Sequence, residues 1–202
     1  IGGLRVTDLR SLDIAVSVLA GLINKSLVAA INLRGGKAIG LSGVDGTIIQ
    51  AEKTNNDLGY VGQIKAVDVG PLRGVLDSGY IPVIAPIGID LSRDVGQDGE
   101  MLNINADTVA GKLSEAMNAS KMVFLTDVTG VLDSSNRLMS RLTERQALTL
   151  VRSKVIAGGM IPKIEACLSA VKAGGSSYIV DGREPRALDR VVSGHTLGTR
   201  IG

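Results

Sequence analysis

Residues 103–132 read NINADTVAGKLSEAMNASKMVFLTDVTGVL: a polar loop, a helix, an apolar strand and a second polar turn, in that order. Ala106, Val109, Ala110, Leu113 and Met117 recur at helical spacing and mark one face of the helix. Residues 122–125 are an unbroken apolar run, the pattern of a parallel strand buried on both faces. Asn103, Asn105 and Asp107 stand just before or inside the helix's first turn, and Asp127 stands where the strand ends. Open parallel sheets present ligands outside the carboxyl ends of their strands, beside helix N-termini. The stretch therefore predicts such an edge, and with it an α/β fold.

The flanking chain repeats the alternation. Thr7 or Asp8 caps a first helix, whose apolar positions run from Leu12 to Ile31 until Arg34-Gly35-Gly36 stops it. Residues 37–41 are a short strand ending in a glycine-rich turn. Residues 47–51 and 61–67 read as a hairpin projecting from an edge, 70–78 as a brief helix, and 80–86 as a central parallel strand with Pro82 near its start. Residues 90–100 are polar and read as a loop or loose hairpin. Beyond residue 132, Thr143 with Gln146 spells a capping box. Gly158-Gly159 opens a helix with Ile161, Ile164, Leu168 and Val171 inward, and 177–180, 184–192 and 199–201 read strand, helix, strand. The expectation is a three-layer αβα sandwich with a mostly parallel central sheet, in one domain over residues 1–202.

Composition narrows the function. Only 2% of residues are aromatic and the net charge is +2, which argues against a nucleic-acid partner. One cysteine, Cys167, excludes an internal disulfide and a cysteine-rich zinc site, and its apolar helical setting points to packing. The one histidine, His195, excludes a His-based triad or multi-histidine metal site and reads as surface or terminal packing. No uninterrupted apolar run approaches the ~18 residues of a membrane helix, and no secretory signal is present. The chain opens on Ile1-Gly2-Gly3 without an initiator Met, which leads us to expect a missing N-terminal part.

Three groups of residues carry chemistry. Gly158-Gly159 before a helix with Lys163 in its first turn would bring backbone amides, a helix N-terminus and a mobile point charge to a phosphoryl group. A plain glycine turn is the alternative, although a lysine in a first turn opposes the helix dipole. Asn103, Asn105 and Asp107 are three polar groups where capping requires one. The segment Asp127-Val128-Thr129-Gly130-Val131 is either a turn or a nucleotide-binding edge. Arg5 is solvated or a bidentate carboxylate binder. Neither the dinucleotide fingerprint nor a P-loop is present.

Six segments together resemble a known family. They are Gly3-Leu-Arg-Val-Thr-Asp8, Gly79-Tyr-Ile-Pro-Val-Ile-Ala-Pro86, Asn103-Ile-Asn-Ala-Asp-Thr108, Leu125-Thr-Asp-Val-Thr-Gly-Val-Leu132, Gly158-Gly-Met-Ile-Pro-Lys163 and Asp181-Gly-Arg183. In this order they are similar to the N-acetylglutamate kinases of the amino acid kinase family. The resemblance implies ATP-dependent phosphorylation of the side-chain carboxylate of N-acetyl-L-glutamate, the second step of arginine biosynthesis, with Mg²⁺ accompanying ATP in the cytoplasm. It implies that Arg5 and Asn103 contact N-acetylglutamate, that Lys163 stabilises the transferring phosphoryl group, and that Asp107 organises the lysines of the site. It places the nucleotide against Asp127, Val128, Thr129, Gly130, Val131 and Leu132 and against Val155, Ile156, Ala157, Gly158 and Gly159. Residues 103–202 would then be mainly the nucleotide-binding portion, with no protein ligand cluster for a metal.

The family begins with a strand carrying a lysine before paired glycines, and a second glycine-rich loop. Neither occurs here. The chain is thus expected to lack the N-terminal strands and to turn over little by itself. Family members form homodimers, and some form arginine-inhibited hexamers or bind a nitrogen regulator. The rival expectations are aspartate, glutamate 5-, carbamate or uridylate kinase activity, or a non-catalytic nucleotide-sensing subunit.

Overall fold

The computed structural model describes residues 6–54, 58–91 and 100–202. It falls into two compact units, Ile1–Val109 and Ala110–Gly202. The elements are of the expected α/β class, with parallel-rich sheets and helices.

In the first unit, helices α1 (Leu9–Ala15) and α2 (Asn24–Asn32) are joined by a π-helical segment, Val16–Ile23, into one continuous rod. Asp8 is the N-cap, its carboxylate accepting from the Ser11 amide at 2.7 Å. Hydrogen bonding from Ser11, chiefly by its side chain and then by its amide, holds the Asp8 carboxyl below its usual range. Strand β1 (Ala38–Ser42) pairs in parallel with β4 (Ile81–Ala85). Asn24, 2% exposed, donates from Nδ2 to Leu41 O at 3.1 Å and to Val83 O at 2.8 Å. One buried amide thus ties the rod to both strands.

A second sheet, in the order β3-β2-β5-β6, contains β2 (Ile49–Lys53), β3 (Gly62–Val67), β5 (Ile87–Asp90) and β6 (Glu100–Asn103). The β2–β3 hairpin is the expected one. The antiparallel β5–β6 pair flanks the segment expected to be a loop or loose hairpin, part of which lies outside the described residues. Helix α3 (Gly70–Asp77) starts with Pro at its first turn.

The rod corrects one expectation. The helix over Leu9–Asn32 has 24 residues, and an 18-residue window within it has a mean hydropathy of 2.0, so it is long and apolar enough by length and composition to cross a membrane. Counting uninterrupted runs missed it because Ser, Gly and Asn interrupt the pattern without making it polar. Leu9, Ile14, Leu22, Ile23 and Leu27 lie exposed on it.

Helix α4 (Ala106–Met117) runs from the first unit into the second. The sheet of the second unit has the order β7-β9-β10-β8, with β7 (Lys121–Thr126), β9 (Ser176–Asp181), β10 (Thr199–Ile201) and β8 (Arg141–Leu142). Strands β7 and β9 are parallel, in register from Lys121↔Ser176 to Thr126↔Asp181. One face packs on α5 (Glu144–Arg152) and α6 (Met160–Lys172), burying Leu142, Ile164, Leu168, Ile179, Ile201 and the Cys167 thiol. The other face carries α7 (Ala187–Val192) over Tyr178 and Val180. The Thr143–Gln146 capping box forms as read. Strand β7 is less covered than expected: Leu125 is 53% exposed, because it is the next-to-last residue at the open carboxyl end.

Candidate functional site

Parallel pairing brings the carboxyl ends of β7 and β9 side by side, at Thr126 and Asp181. Helix α6 leads into β9, so it runs antiparallel to that strand. Its 13 residues rise about 20 Å and the six of β9 about the same. The α6 N-terminus therefore lies at this carboxyl edge, as a ligand site in an open α/β sheet requires.

Lys163 occupies the first turn of α6. Its side chain is half-buried, with Nζ 5.5 Å from the centre of the Phe124 ring on β7. The cation thus stands against the strand that leads into Asp127. Gly159 is the N-cap and provides no side-chain cap, in contrast to the capping box of α5. Gly158 has φ +57, and a Cβ placed on either glycine would meet nothing within 4 Å. No internal packing demands these glycines beyond the left-handed turn. Neither amide donates to a backbone carbonyl of the described residues, and both stand at a positive helix end, which is suited to an anion.

Residues 127–132 are held from behind. Thr126 Oγ1 donates to Val180 O at 3.1 Å and accepts from the Val128 amide at 3.2 Å. The Val131 amide donates to Thr199 Oγ1 at 2.8 Å. Gly130, at φ +144, passes so close that a Cβ would stand 2.6 Å from Thr199 Oγ1 and 3.0 Å from Thr199 N. Gly130→Ala should lower stability by roughly 1–3 kcal/mol, read from urea unfolding. The side chains of Val131 and Ile156 are buried in the core of the unit, leaving only their backbone to border a ligand. Asp127, Val128, Thr129, Leu132, Val155 and Ala157 are exposed.

Asp181 and Arg183 organise this edge, and the sequence reading gave them no role. Arg183 grips the Asp181 carboxylate twice, Nε at 2.8 Å and a terminal nitrogen at 2.7 Å, and donates to Asp127 O at 2.6 Å. One guanidinium thus staples the end of β7 to the end of β9. The available signal was an acidic residue two before an arginine at a strand end. Chiefly through the Arg183 side-chain bonds, the Asp181 carboxyl is lowered from 3.8 to about 2. A depressed folded-state value stabilises the fold above the unfolded value, and the effect is lost as pH falls through the folded one. Arg183→Gln should therefore melt earlier than the native chain at neutral pH. The gap should close as pH falls from about 4 to about 2, followed by thermal melts across that range.

In the first unit, Asn103 ends β6. Its backbone amide donates to Tyr60 O at 2.9 Å, and its Nδ2 lies 3.5 Å from Thr7 Oγ1. Asn105 is the capping member of the polar trio, accepting from the Thr108 amide at 3.0 Å. Asp107 lies half-buried in the first turn of α4. Asn103 and Asp107 belong to the first unit, and Lys163 with residues 127–132 and 155–159 to the second. Arg5 lies outside the described residues. Among the described residues, no three His, Cys, Asp or Glu side chains gather as metal ligands.

The amino acid kinase family model matches residues 2–181. The chain belongs to the amino acid kinase family. Within that family it is similar to the acetylglutamate kinase of Caldanaerobacter subterraneus subsp. tengcongensis, 44% identical across the whole chain and covering 68% of that protein. Among solved structures it is similar to smu.665 from Streptococcus mutans UA159, with 29% identity and a TM-score of 0.83 over the whole chain and 75% of that protein. It is also similar to N-acetylglutamate synthase from Neisseria gonorrhoeae, solved with coenzyme A and N-acetyl-glutamate. That match has 25% identity and a TM-score of 0.84 over the whole chain and 46% of the other. As an amino acid kinase family member the chain is of a phosphotransferase lineage, and the edge around Lys163 has the chemistry such a reaction uses.

Proposed function

We propose that the chain acts in the ATP-dependent phosphorylation of the side-chain carboxylate of N-acetyl-L-glutamate to N-acetyl-L-glutamyl 5-phosphate, in arginine biosynthesis. The observation that carries this reading is the 44% identity, across the whole chain, to an acetylglutamate kinase. The synthase relative, solved with N-acetyl-glutamate, supports the same acceptor.

A carboxylate is already an anionic nucleophile at neutral pH, so the reaction needs no general base. Catalysis reduces to in-line positioning and neutralisation of charge. In this reading Lys163 compensates the charge developing on the transferring phosphoryl group. The Gly158 and Gly159 amides at the α6 N-terminus hold phosphate oxygens. Residues 127–132, with Val155, Ile156 and Ala157, border the nucleotide, making residues 103–202 mainly the nucleotide-binding portion. Arg5 and Asn103 hold the acceptor, and Asp107 orients lysine ammonium groups.

A donor set without a carboxylate cage fits a Mg²⁺ held chiefly by nucleotide phosphates and water. When bound, the ion neutralises phosphate charge. The family's strand with a lysine before paired glycines does not occur among residues 1–202, and the chain spans 68% of the length of the acetylglutamate kinase it matches. A cytoplasmic location and a homodimer belong to the same reading. The exposed apolar residues of the Leu9–Asn32 rod support self-association, which sedimentation velocity would test.

A coupled ADP-release assay separates the acceptors. The native-length enzyme should prefer N-acetyl-L-glutamate over aspartate, glutamate and carbamate by at least a hundredfold in kcat/KM. A preference for any of the other three would reject the acceptor. Nucleotide binding without turnover on any acceptor would reject the kinase reading in favour of a sensing subunit.

A further inference from the structure

The sheet of the second unit has a half that, among the described residues, no helix of that unit covers. Helix α7 lies over β7 and β9 on the face opposite α6, burying Val180 and most of Tyr178. Beyond it the same face continues across β10 and β8, where register aligns Tyr178 with Arg200, and Arg200 with Arg141. Two arginines thus stand side by side on adjacent strands, ~4.8 Å apart in the pairing direction. Like charges placed directly opposite destabilise a sheet. Neither guanidinium has an ion-pair partner among the described residues.

They line a cavity of about 240 Å³ together with Tyr178, His195, Ser140 and Thr196, and among the described residues no carboxylate lines it. Tyr178 is 8% exposed, yet its hydroxyl makes no hydrogen bond with any described residue. The carbonyls at the end of α7, which would repel an anion, are already occupied. Lys121 Nζ donates to Val192 O at 2.7 Å, and His195 sets its amide 2.9 Å and its ring Nδ1 3.3 Å from Arg190 O.

We propose that the row Tyr178–Arg200–Arg141, with His195 at its rim, is a binding site for a small multivalent oxyanion, a phosphate or a polycarboxylate. Paired guanidinium forks match the oxygens of either group, and a tyrosine or serine hydroxyl adds a neutral donor. An anion between the arginines also removes their mutual repulsion. The site lies on the sheet face opposite Lys163, so it is separate from the phosphoryl-transfer edge. The inference does not depend on which acceptor the enzyme uses.

Isothermal titration of the full chain with inorganic phosphate and with citrate, in chloride buffer of matched ionic strength, tests it. The two arms distinguish a phosphate from a carboxylate ligand. Saturable binding of at least one, weakened tenfold or more by Arg200→Gln and by Arg141→Gln but retained in Lys163→Ala, is the expected result. Both arginines are exposed, and each glutamine variant should melt no earlier than the native chain without anion, because the like-charge pair is gone. Absence of saturable binding at millimolar phosphate and citrate would overturn the proposal. So would binding unchanged in both glutamine variants, loss in Lys163→Ala alone, or preferential binding of L-arginine over the anions.

Discussion

Lys163→Ala should slow phosphoryl transfer by about 10²–10³ in kcat, while KM for the acceptor changes far less. The size follows from removing one preorganised cation from a place where charge develops. The KM pattern follows because that charge is greater in the transition state than in the bound substrates. Stability should hardly move. A lysine in the first turn of α6 opposes the helix dipole by roughly 0.3–1 kcal/mol, and its stacking over Phe124 returns a similar amount. Steady-state ADP release and thermal melts on the same preparation check both halves. A rate loss matched by an equal loss of stability would make Lys163 a structural residue.

Ile179→Ala should cost about 2–5 kcal/mol, the largest single-residue loss expected in the second unit. Ile179 is fully buried on the central strand β9, among Ile164, Leu168, Ile201 and Leu142. Truncation there loses apolar burial and leaves a hole between sheet and helix that α6 can close only by moving the turn bearing Lys163. Typical domains have only about 5–15 kcal/mol in all. Leu188→Ala, on the exposed side of α7, is the control and should stay within about 0.5 kcal/mol. Urea unfolding of both variants measures the difference.

The sequence was informative where local chemistry and periodicity agree. The capping box at Thr143, the glycine-opened helix α6, the run of β7 and the hairpin β2–β3 each carry a pattern that tertiary context did not override. The polar trio was read in kind but not in detail: one member had to cap α4, and only the geometry shows that it is Asn105. Strand β8 is two residues long, too short for any period to register, and exists because Leu142 fills the core beside Ile201. The β5–β6 pair was legible only as a loop or loose hairpin over 90–100, because polar and glycine residues dominate the segment between the strands. The staple from Arg183 to Asp181 and to the Asp127 carbonyl is a relation between two strand ends, which no linear pattern displays.

At 20.9 kDa the chain is well sized for backbone-amide NMR, and titration with Mg·ADP tests the central claim most directly. The account predicts saturable shifts at the amides of Gly158, Gly159 and residues 127–132, strongly reduced in Lys163→Ala. Saturable shifts elsewhere, with these amides unmoved, would contradict it.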